Sequence, residues 1–524
     1  MRFSKGSAAA VIAVSLMLHS TAFAADTDAP EKQGSLYLQC DGQPNNMTGG
    51  ETAARLLGAV TLLGLFAPQP EQADGSKRKF GTNGIEACTA LIDGDKREGN
   101  PARRVHLILG RAIHQIEAKN YDAAIADAKL AQSEAEAAGL MADPYYVRSE
   151  GRAPYNIQAA ALYRQGHPDE ARAMALTAMD SLAPSLFGLL SAPGYLVDDL
   201  RAPSDDEIRY ISARTHDAAV LAPMEADRLE EFGRFADAAK VRDAVIDLSE
   251  VDGSKLHSSL WLAQDAVSHE LAGDRAKAAE RAAAAKANFE KRRADGNPES
   301  SEAEFVEVMD LYGILNTAAN GDMKTARRLF AARSAWVATS FGSVVETARR
   351  LRVGAAPDEL IGGLAHDPDA MWKDRLDTQR AEILGRDSDN KTLFGLIPGW
   401  VQRGTYEGLS KQVWQVDKSK LLLKRKAGDD SSKRETLFLF GQPTSVTLQA
   451  YMLHGALLAQ SRGQQGFVMM PVFTKEIVAA WIITGNRGDP GLDDAVFNSA
   501  DDVVAKLSPI IPSPSVLAAR RNLR

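Results

Sequence analysis

The chain has 524 residues, of which 45% are hydrophobic and 25% charged, and its formal net charge at pH 7 is −8. This length exceeds what one compact core needs, so several structural regions are expected. Lys and Arg form no cluster interleaved with aromatic side chains, so nucleic acid is not an expected partner.

Residues 1–24 have the composition of a secretory signal peptide. Arg2 and Lys5 give a positively charged start, residues 8–18 form an apolar run, and Ala22-Phe23-Ala24 fits a cleavage site. We therefore expect an exported chain that starts at Ala25 and resides in the periplasm or is secreted. No cysteine directly follows the cleavage site, so no lipid anchor is expected.

A second apolar run, residues 56–67, is shorter than the roughly 20 residues that a membrane-spanning helix needs. It is predicted to form a buried helix in an N-terminal helical cap over residues 25–100, and contact with a membrane surface is the alternative. No transmembrane span is expected.

The chain contains two cysteines, Cys40 and Cys88, both in the exported part. A lone pair in an oxidising compartment favours a disulfide. A thiol nucleophile is the alternative, but no histidine partner can be placed beside either cysteine.

A short phrase recurs five times, each with a turn residue followed five positions later by alanine. The pairs are Lys119 and Ala124, Gly166 and Ala171, Gly233 and Ala238, Gly273 and Ala278, and Gly321 and Ala326. The stretches read KNYDAAIADAKLA, GHPDEARAMALTA, GRFADAAKVRDAV, GDRAKAAERAAAA and GDMKTARRLFAAR. Recurrence of the turn, the alanine and the apolar spacing predicts stacked helical hairpins.

These stretches resemble the turn and second helix of tetratricopeptide repeats. The family requires small residues where two helices approach closely. In the first helix of each hairpin, the position of the small residue is occupied by Ala112, Ala159, Ala226 and Ala266, and by Ile314 in the fifth unit. In the second helix, the corresponding position is occupied by Ala131, Ala178 and Ala285, and by Val245 and Arg333 in the third and fifth units. The resemblance implies a mainly α fold, a solenoid of hairpins over residues 101–385.

The turns lie 47, 67, 40 and 48 residues apart (119, 166, 233, 273, 321), compared with the ~34 of the family. Prolines and glycines predict interrupting loops at residues 186–204 and 294–301. Three further helices, in SVVETARRLRVGA, APDELIGGLAHDP and DAMWKDRLDTQRAEIL, are predicted to close the array as a terminal cap.

Residues 400–524 are predicted to form a separate, small α+β domain. Strands are expected at 413–416, 421–425, 436–440, 466–473 and 479–484, with helices at 445–460 and 501–507, and PIIPSPS is expected to end regular structure. The 445–460 helix is expected to cover one face of the sheet.

The sequence contains no HExxH, GxSxG, Walker-type or GxGxxG motif, so no catalytic activity, cofactor or metal is expected. His106 and His114 could share a helix face with Glu117, but eight residues is too far apart for both histidines to hold one ion.

In the repeat family the first helices line a binding groove. The resemblance places the candidate groove residues at His106, Ile113 and Glu117, at Asn156, Tyr163 and Arg164, at Asp227, Glu230 and Glu231, and at Val267 and Glu270. The acidic third unit favours a basic or extended peptide, and an ordinary solvated helix face is the alternative. The predicted function is a non-catalytic protein- or peptide-binding scaffold. The alternative is that the C-terminal domain binds a ligand or has an activity of its own, with the helices as a docking arm.

Overall fold

The computed structural model describes residues 34–45, 72–95, 97–180, 182, 184–185, 205–251, 258–298, 301–333, 335–385, 393–398, 403–416, 435–438, 444–473 and 478–522. The predicted signal peptide, the apolar run 56–67, the loop 186–204 and the strand 421–425 lie outside the described residues. The described part is mainly helical, with a small sheet near the C-terminus. Each of its helices is too short or too polar to cross a lipid bilayer.

The helices before residue 333 are numbered here in chain order. They are α1 (Leu36–Asp41), α2 (Thr82–Ile92), α3 (Pro101–Glu117), α4 (Tyr121–Ala137), α5 (Pro144–Val147), α6 (Ala153–Gln165), α7 (Pro168–Asp180), α8 (Asp205–Asp217), α9 (Ala222–Glu231), α10 (Phe235–Val251), α11 (Ser259–Ala272), α12 (Arg275–Ala294), α13 (Glu302–Ala319) and α14 (Met323–Ala332).

The predicted disulfide between Cys40 and Cys88 is confirmed. It joins α1 to α2, and both helices pack on α3. Both cysteines are fully buried. The helix that follows them begins with Asn100, whose side chain accepts the N–H groups of Ala102 and Arg103, and with Pro101 in the first turn.

The five repeated phrases form turns between paired helices, as predicted. All five turn residues have positive φ, including Lys119 at 62°, where the other four units have glycine. The five alanines that follow the turns are fully or nearly fully buried. Since a larger side chain there would separate the helices, these positions explain why alanine recurs.

Consecutive helices pack in pairs: α3 with α4, α6 with α7, α9 with α10, α11 with α12 and α13 with α14. Between the pairs, α4 contacts α6, α10 contacts α11 and α11 contacts α13, while α8 contacts both α7 and α9. The first helices of the last three pairs, α9, α11 and α13, all contact α15 (Phe341–Arg352).

Helix α15 is a core helix, since Val344, Val345, Ala348 and Leu351 are buried in it. It also packs against α16 (Pro368–Gly385). The prediction of a helix in APDELIGGLAHDP is wrong. This stretch forms two short 3₁₀ turns, Pro357–Glu359 and Gly362–Ala365. Gly362 has φ +53°, which does not continue a right-handed helix.

The C-terminal region contains four strands and four helices within the described residues. They are α17 (Arg403–Trp414), β1 (Glu435–Phe438), α18 (Thr444–Ser461), β2 (Gly466–Phe473), β3 (Val478–Gly485), β4 (Asn498–Ser499), α19 (Ala500–Leu507) and α20 (Pro514–Asn522). The sheet is antiparallel with strand order β1-β3-β2-β4. Helix α18 packs on β2 and β3, as predicted.

The second face of the sheet packs directly on the preceding helices. Val468, Met470 and Ile483 on the sheet share one hydrophobic cluster with Ala244 and Leu248 of α10. The C-terminal region is therefore in direct contact with the helical array through an apolar interface.

Two predictions in this region are wrong. Residues 413 and 414 end helix α17 instead of forming a strand. PIIPSPS does not end regular structure, because Pro514 starts α20 and the Ser513 hydroxyl accepts the Val516 N–H. Proline is tolerated in the first helical turn, where its missing N–H would have no partner within the helix.

Candidate functional site

Glu230, predicted to line an open groove, lies between α9 and α15 and is 3% exposed. Its Oε1 accepts hydrogen bonds from Nε and Nη2 of Arg242, at 3.2 and 3.1 Å, and from the Ser268 hydroxyl. Its Oε2 accepts from the hydroxyls of Ser340 and of Ser343, the latter at 2.7 Å. This carboxylate therefore holds α15 against the array and is not open to a partner.

The other two acids of the third unit are also paired within the chain. Asp227 accepts a hydrogen bond of 2.6 Å from Arg242. Glu231 pairs with Arg228 and lies 3.8 Å from Arg375 of α16. The expected acidic surface is corrected accordingly, because arginines of the same chain already balance these charges.

Glu307 of α13 is a second buried carboxylate on this side, and no sequence motif indicates its role. Its Oε1 accepts the backbone N–H groups of Val337, Ala338 and Thr339 at 2.7, 2.8 and 3.1 Å. The Gln264 amide of α11 donates to the carbonyl of Ala338 at 3.1 Å. Side chains of the array thus bind the main chain of the segment that leads into α15.

Glu270 and Val267 of the fourth unit are buried as well. Burial raises the pKa of Glu270, against the nearby charges of Arg275 and Arg350. Arg350 of α15 donates to the Leu271 carbonyl at 2.7 Å. Helix α15 therefore covers the predicted groove in the third and fourth units, and it also contacts α13 of the fifth unit.

In the first unit, Ile113 and Glu117 are buried in the helix packing. Glu117 accepts the Gly81 N–H at 2.9 Å and lies 2.7 Å from Nδ1 of His114. His106 is partly exposed, with Nδ1 3.3 Å from Glu150 and Nε2 3.7 Å from Asp41. Its pKa is raised by Glu150 and Asp41, although burial opposes this rise.

In the second unit, Asn156 is buried, and its amide donates to the Leu396 carbonyl at 3.0 Å. Residues 393–397 form a short segment that packs on α3 and α6, and we call it the inserted segment. Its buried side chains are Leu393, Phe394 and Leu396. The Phe394 ring meets the His114 ring edge to face at 5.3 Å.

Tyr163 and Arg164, the other candidates of the second unit, lie near the end of α6 and are partly exposed. The Arg164 guanidinium donates to the carbonyl of Ala160 in its own helix. Arg380 of α16 lies over the Tyr163 ring at 5.9 Å. Tyr163 and Arg164 are therefore partly exposed, as are His106 and Asp227 among the other candidates.

Among the described residues, Asp243, Asp265 and His269 offer oxygen and nitrogen atoms close enough together to hold a metal ion. The cation that pairs with these carboxylates is the guanidinium of Arg281. Its Nε lies 2.9 Å from Asp265, and the same guanidinium binds Asp243. The cluster is a buried ion-pair network that ties α10, α11 and α12 together.

Comparisons of the chain with known protein families, with characterised proteins and with solved structures find no match.

Proposed function

We propose that this chain is an exported, non-catalytic scaffold whose tetratricopeptide-like hairpins bind polypeptide segments on the side lined by their first helices. The five positive-φ turns and the buried alanines that follow them support the repeat architecture. The disulfide supports an oxidising compartment such as the periplasm, since such bonds persist there.

One observation carries the proposal: the face formed by α3 and α6 binds a short apolar segment in cis. The inserted segment places three apolar side chains in the core of this face, and Asn156 bonds to its main chain. The inserted segment is a single helical turn, in which the N–H groups of Leu396 and Ile397 bond to the carbonyls of Leu393 and Phe394. Grooves recognise short helical peptides through apolar side chains that lie on one face of the turn. The expected ligand is therefore an apolar peptide segment rather than a basic one.

The experiment uses the chain from Ala25 to Arg524 and a fluorescent synthetic peptide, TLFGLIPG, which copies residues 392–399. In the double variant Leu393→Ser/Phe394→Ser, the inserted segment is weakened and its site becomes available. This variant is expected to bind the peptide more tightly than the wild-type chain does, as measured by fluorescence anisotropy.

Adding Asn156→Ala to the double variant should weaken peptide binding by about 5-fold, because one hydrogen bond contributes about 1 kcal/mol. A peptide with serine in place of both apolar residues is the matched control. If the double variant keeps its helical circular dichroism and does not bind TLFGLIPG, the proposed groove is refuted.

A second function, ligand binding by the C-terminal region, is favoured by a cavity between α8 and α19.

A further inference from the structure

A cavity of about 170 Å³ lies where the last turn of α8 meets β4 and α19. Asp217 and His216 contribute to its wall from α8, and Arg487, Phe497, Ser499 and Lys506 contribute from the C-terminal region. A cavity needs only ~10–15 Å³ to hold one water molecule, so this one has room for a small organic molecule. It also lies between two structural regions, which is a common place for ligand sites.

Asp217 is the buried polar group of this cavity, with 3% of its surface exposed. The Ser185 main chain bonds to its carboxyl group, but Oδ2 has no hydrogen-bond partner among the described residues. Burial raises the pKa of Asp217 to about 7, against the opposing charges of Arg148 and Lys506. As the last residue of α8, it also lies at the negative end of the helix dipole, which disfavours its ionised form.

The groups around Asp217 are mainly cations and hydrogen-bond donors. Lys506 and Arg487 are exposed cations on the cavity wall, and Arg487 is held by Asp494 at 2.8 Å. The Ser499 hydroxyl accepts the Asp502 N–H as the cap of α19, so its own proton can be donated to a ligand. Asp502 is exposed and is the other acid of the wall.

His216 donates from Nε2 to the Asp494 carbonyl at 3.1 Å. Burial lowers the pKa of this histidine, with Arg487 and Lys506 acting in the same direction. It is therefore neutral at pH 7 and adds no positive charge to the cavity.

We propose that this cavity binds a small organic carboxylate, which accepts a hydrogen bond from the protonated Asp217 and pairs with Lys506 and Arg487. The carboxylate would supply the missing partner of Oδ2 and a counter-charge for Lys506, and the Arg487 guanidinium would be shared between the ligand and Asp494. Phe497 provides an apolar wall for the carbon skeleton of the ligand. This site is independent of the peptide groove, because it shares none of the groove's residues.

Isothermal titration calorimetry of the chain from Ala25 to Arg524 with succinate tests the proposal, in buffers free of other carboxylates and of phosphate. Succinate is expected to bind about 10-fold more tightly at pH 6 than at pH 8, because Asp217 must carry its proton. Succinamide, which has the same shape without charge, is expected not to bind. Phosphate and benzoate are titrated in the same way. If phosphate binds and neither succinate nor benzoate does, the proposal that the ligand is a carboxylate is refuted.

Two variants make the test specific. Asp217→Asn keeps an N–H donor at every pH, so its succinate affinity should change less than 2-fold between pH 6 and pH 8. The double variant Lys506→Ala/Arg487→Ala should lose binding, whereas Lys411→Ala, on α17 outside the cavity wall, should not. Absence of succinate binding at pH 6, or equal binding by the double variant, would overturn the proposal.

Discussion

The hydroxyl of Ser343 donates a 2.7 Å hydrogen bond to the carboxylate of Glu230, which lies 113 residues earlier in the chain. Ser340 donates to the same oxygen, and Arg242 binds the other oxygen of this carboxylate. One side chain thus joins the third hairpin to α15. Because all of these groups are buried or partly buried, removing the carboxylate leaves several donors without an acceptor.

Replacing Glu230 by alanine is therefore expected to loosen α15. Removing one partner of a buried ion pair lowers the free energy of unfolding by about 3–5 kcal/mol. We expect a loss of about 3 kcal/mol, because Asp227 still pairs with Arg242. Hydrogen exchange of the peptide that covers residues 341–352 should become roughly 100-fold faster.

Asp237→Ala is the matched control for Glu230→Ala. Asp237 pairs with Arg234 on the surface of the same hairpin, and such pairs contribute about 1 kcal/mol or less. If both variants change exchange in α15 equally, Glu230 does not act as its anchor.

Gly342 allows α15 to approach α9 closely, so alanine at this position should be destabilising. An added Cβ would lie 2.3 Å from the carbonyl oxygen of Glu230 and 2.4 Å from the nitrogen of Glu231. Since both are main-chain atoms, α15 must shift, and overpacking of this kind costs about 1–3 kcal/mol. The urea midpoint of unfolding should fall.

Gly313→Ala is the control for Gly342→Ala and is not expected to lower stability. A Cβ at Gly313 in α13 meets no described atom within 4 Å, and alanine is favoured over glycine inside a helix by about 0.5–1 kcal/mol. Its urea midpoint should stay the same or rise. A fall of equal size in both variants would contradict the close contact at Gly342.

The hairpins could be predicted because their signals are local. A left-handed turn residue and an alanine five positions later follow from one turn and one helix crossing, as at Gly273 and Ala278. The C-terminal helix at 445–460 and the strands at 466–473 and 479–484 were likewise readable from short hydrophobic patterns.

The position of α15 could not be predicted in this way. Glu230 has the sequence pattern of a solvated helix residue, and its contacts with Ser340 and Ser343 come from a part of the chain more than 100 residues away. The same holds for Asn156, whose partner Leu396 lies 240 residues later, and for Asp217, whose burial depends on the C-terminal region. The repeat pattern therefore could not show which distant elements cover the candidate groove residues.

The disulfide between Cys40 and Cys88 should make a large contribution to the stability of the N-terminal helices. It closes a loop of 48 residues, which lowers the chain entropy of the unfolded state by an equivalent of about 4 kcal/mol. In the variant Cys40→Ala/Cys88→Ala, hydrogen exchange in α1 and α2 should be faster. The wild-type chain treated with a reductant should behave in the same way, and unchanged exchange in both samples would refute the prediction.

The buried Asp217 should make stability depend on pH in a way that one substitution removes. Its pKa is about 7 in the folded chain, compared with an ordinary value of 3.8, so the folded state keeps a proton that the unfolded state releases between these values. The free energy of unfolding therefore falls as pH rises from about 4 to 7 and is level above that range. The difference between the two pKa values corresponds to about 4 kcal/mol. At pH 8 the free energy of unfolding is therefore lower by this amount than at pH values below 4.

Asp217→Asn cannot ionise and should remove this loss. The variant is expected to have a urea midpoint similar to that of the wild type at pH 4 and a higher one at pH 8. At pH 8 the wild type must bury an ionised carboxylate, which costs free energy, whereas asparagine stays neutral. Asp358→Asn, at an exposed carboxylate, is the control and should follow the wild type at both pH values. If the variant is less stable than the wild type at pH 8, the ionised Asp217 has favourable partners. The proposed carboxylate site, which requires a protonated Asp217, would then also be refuted.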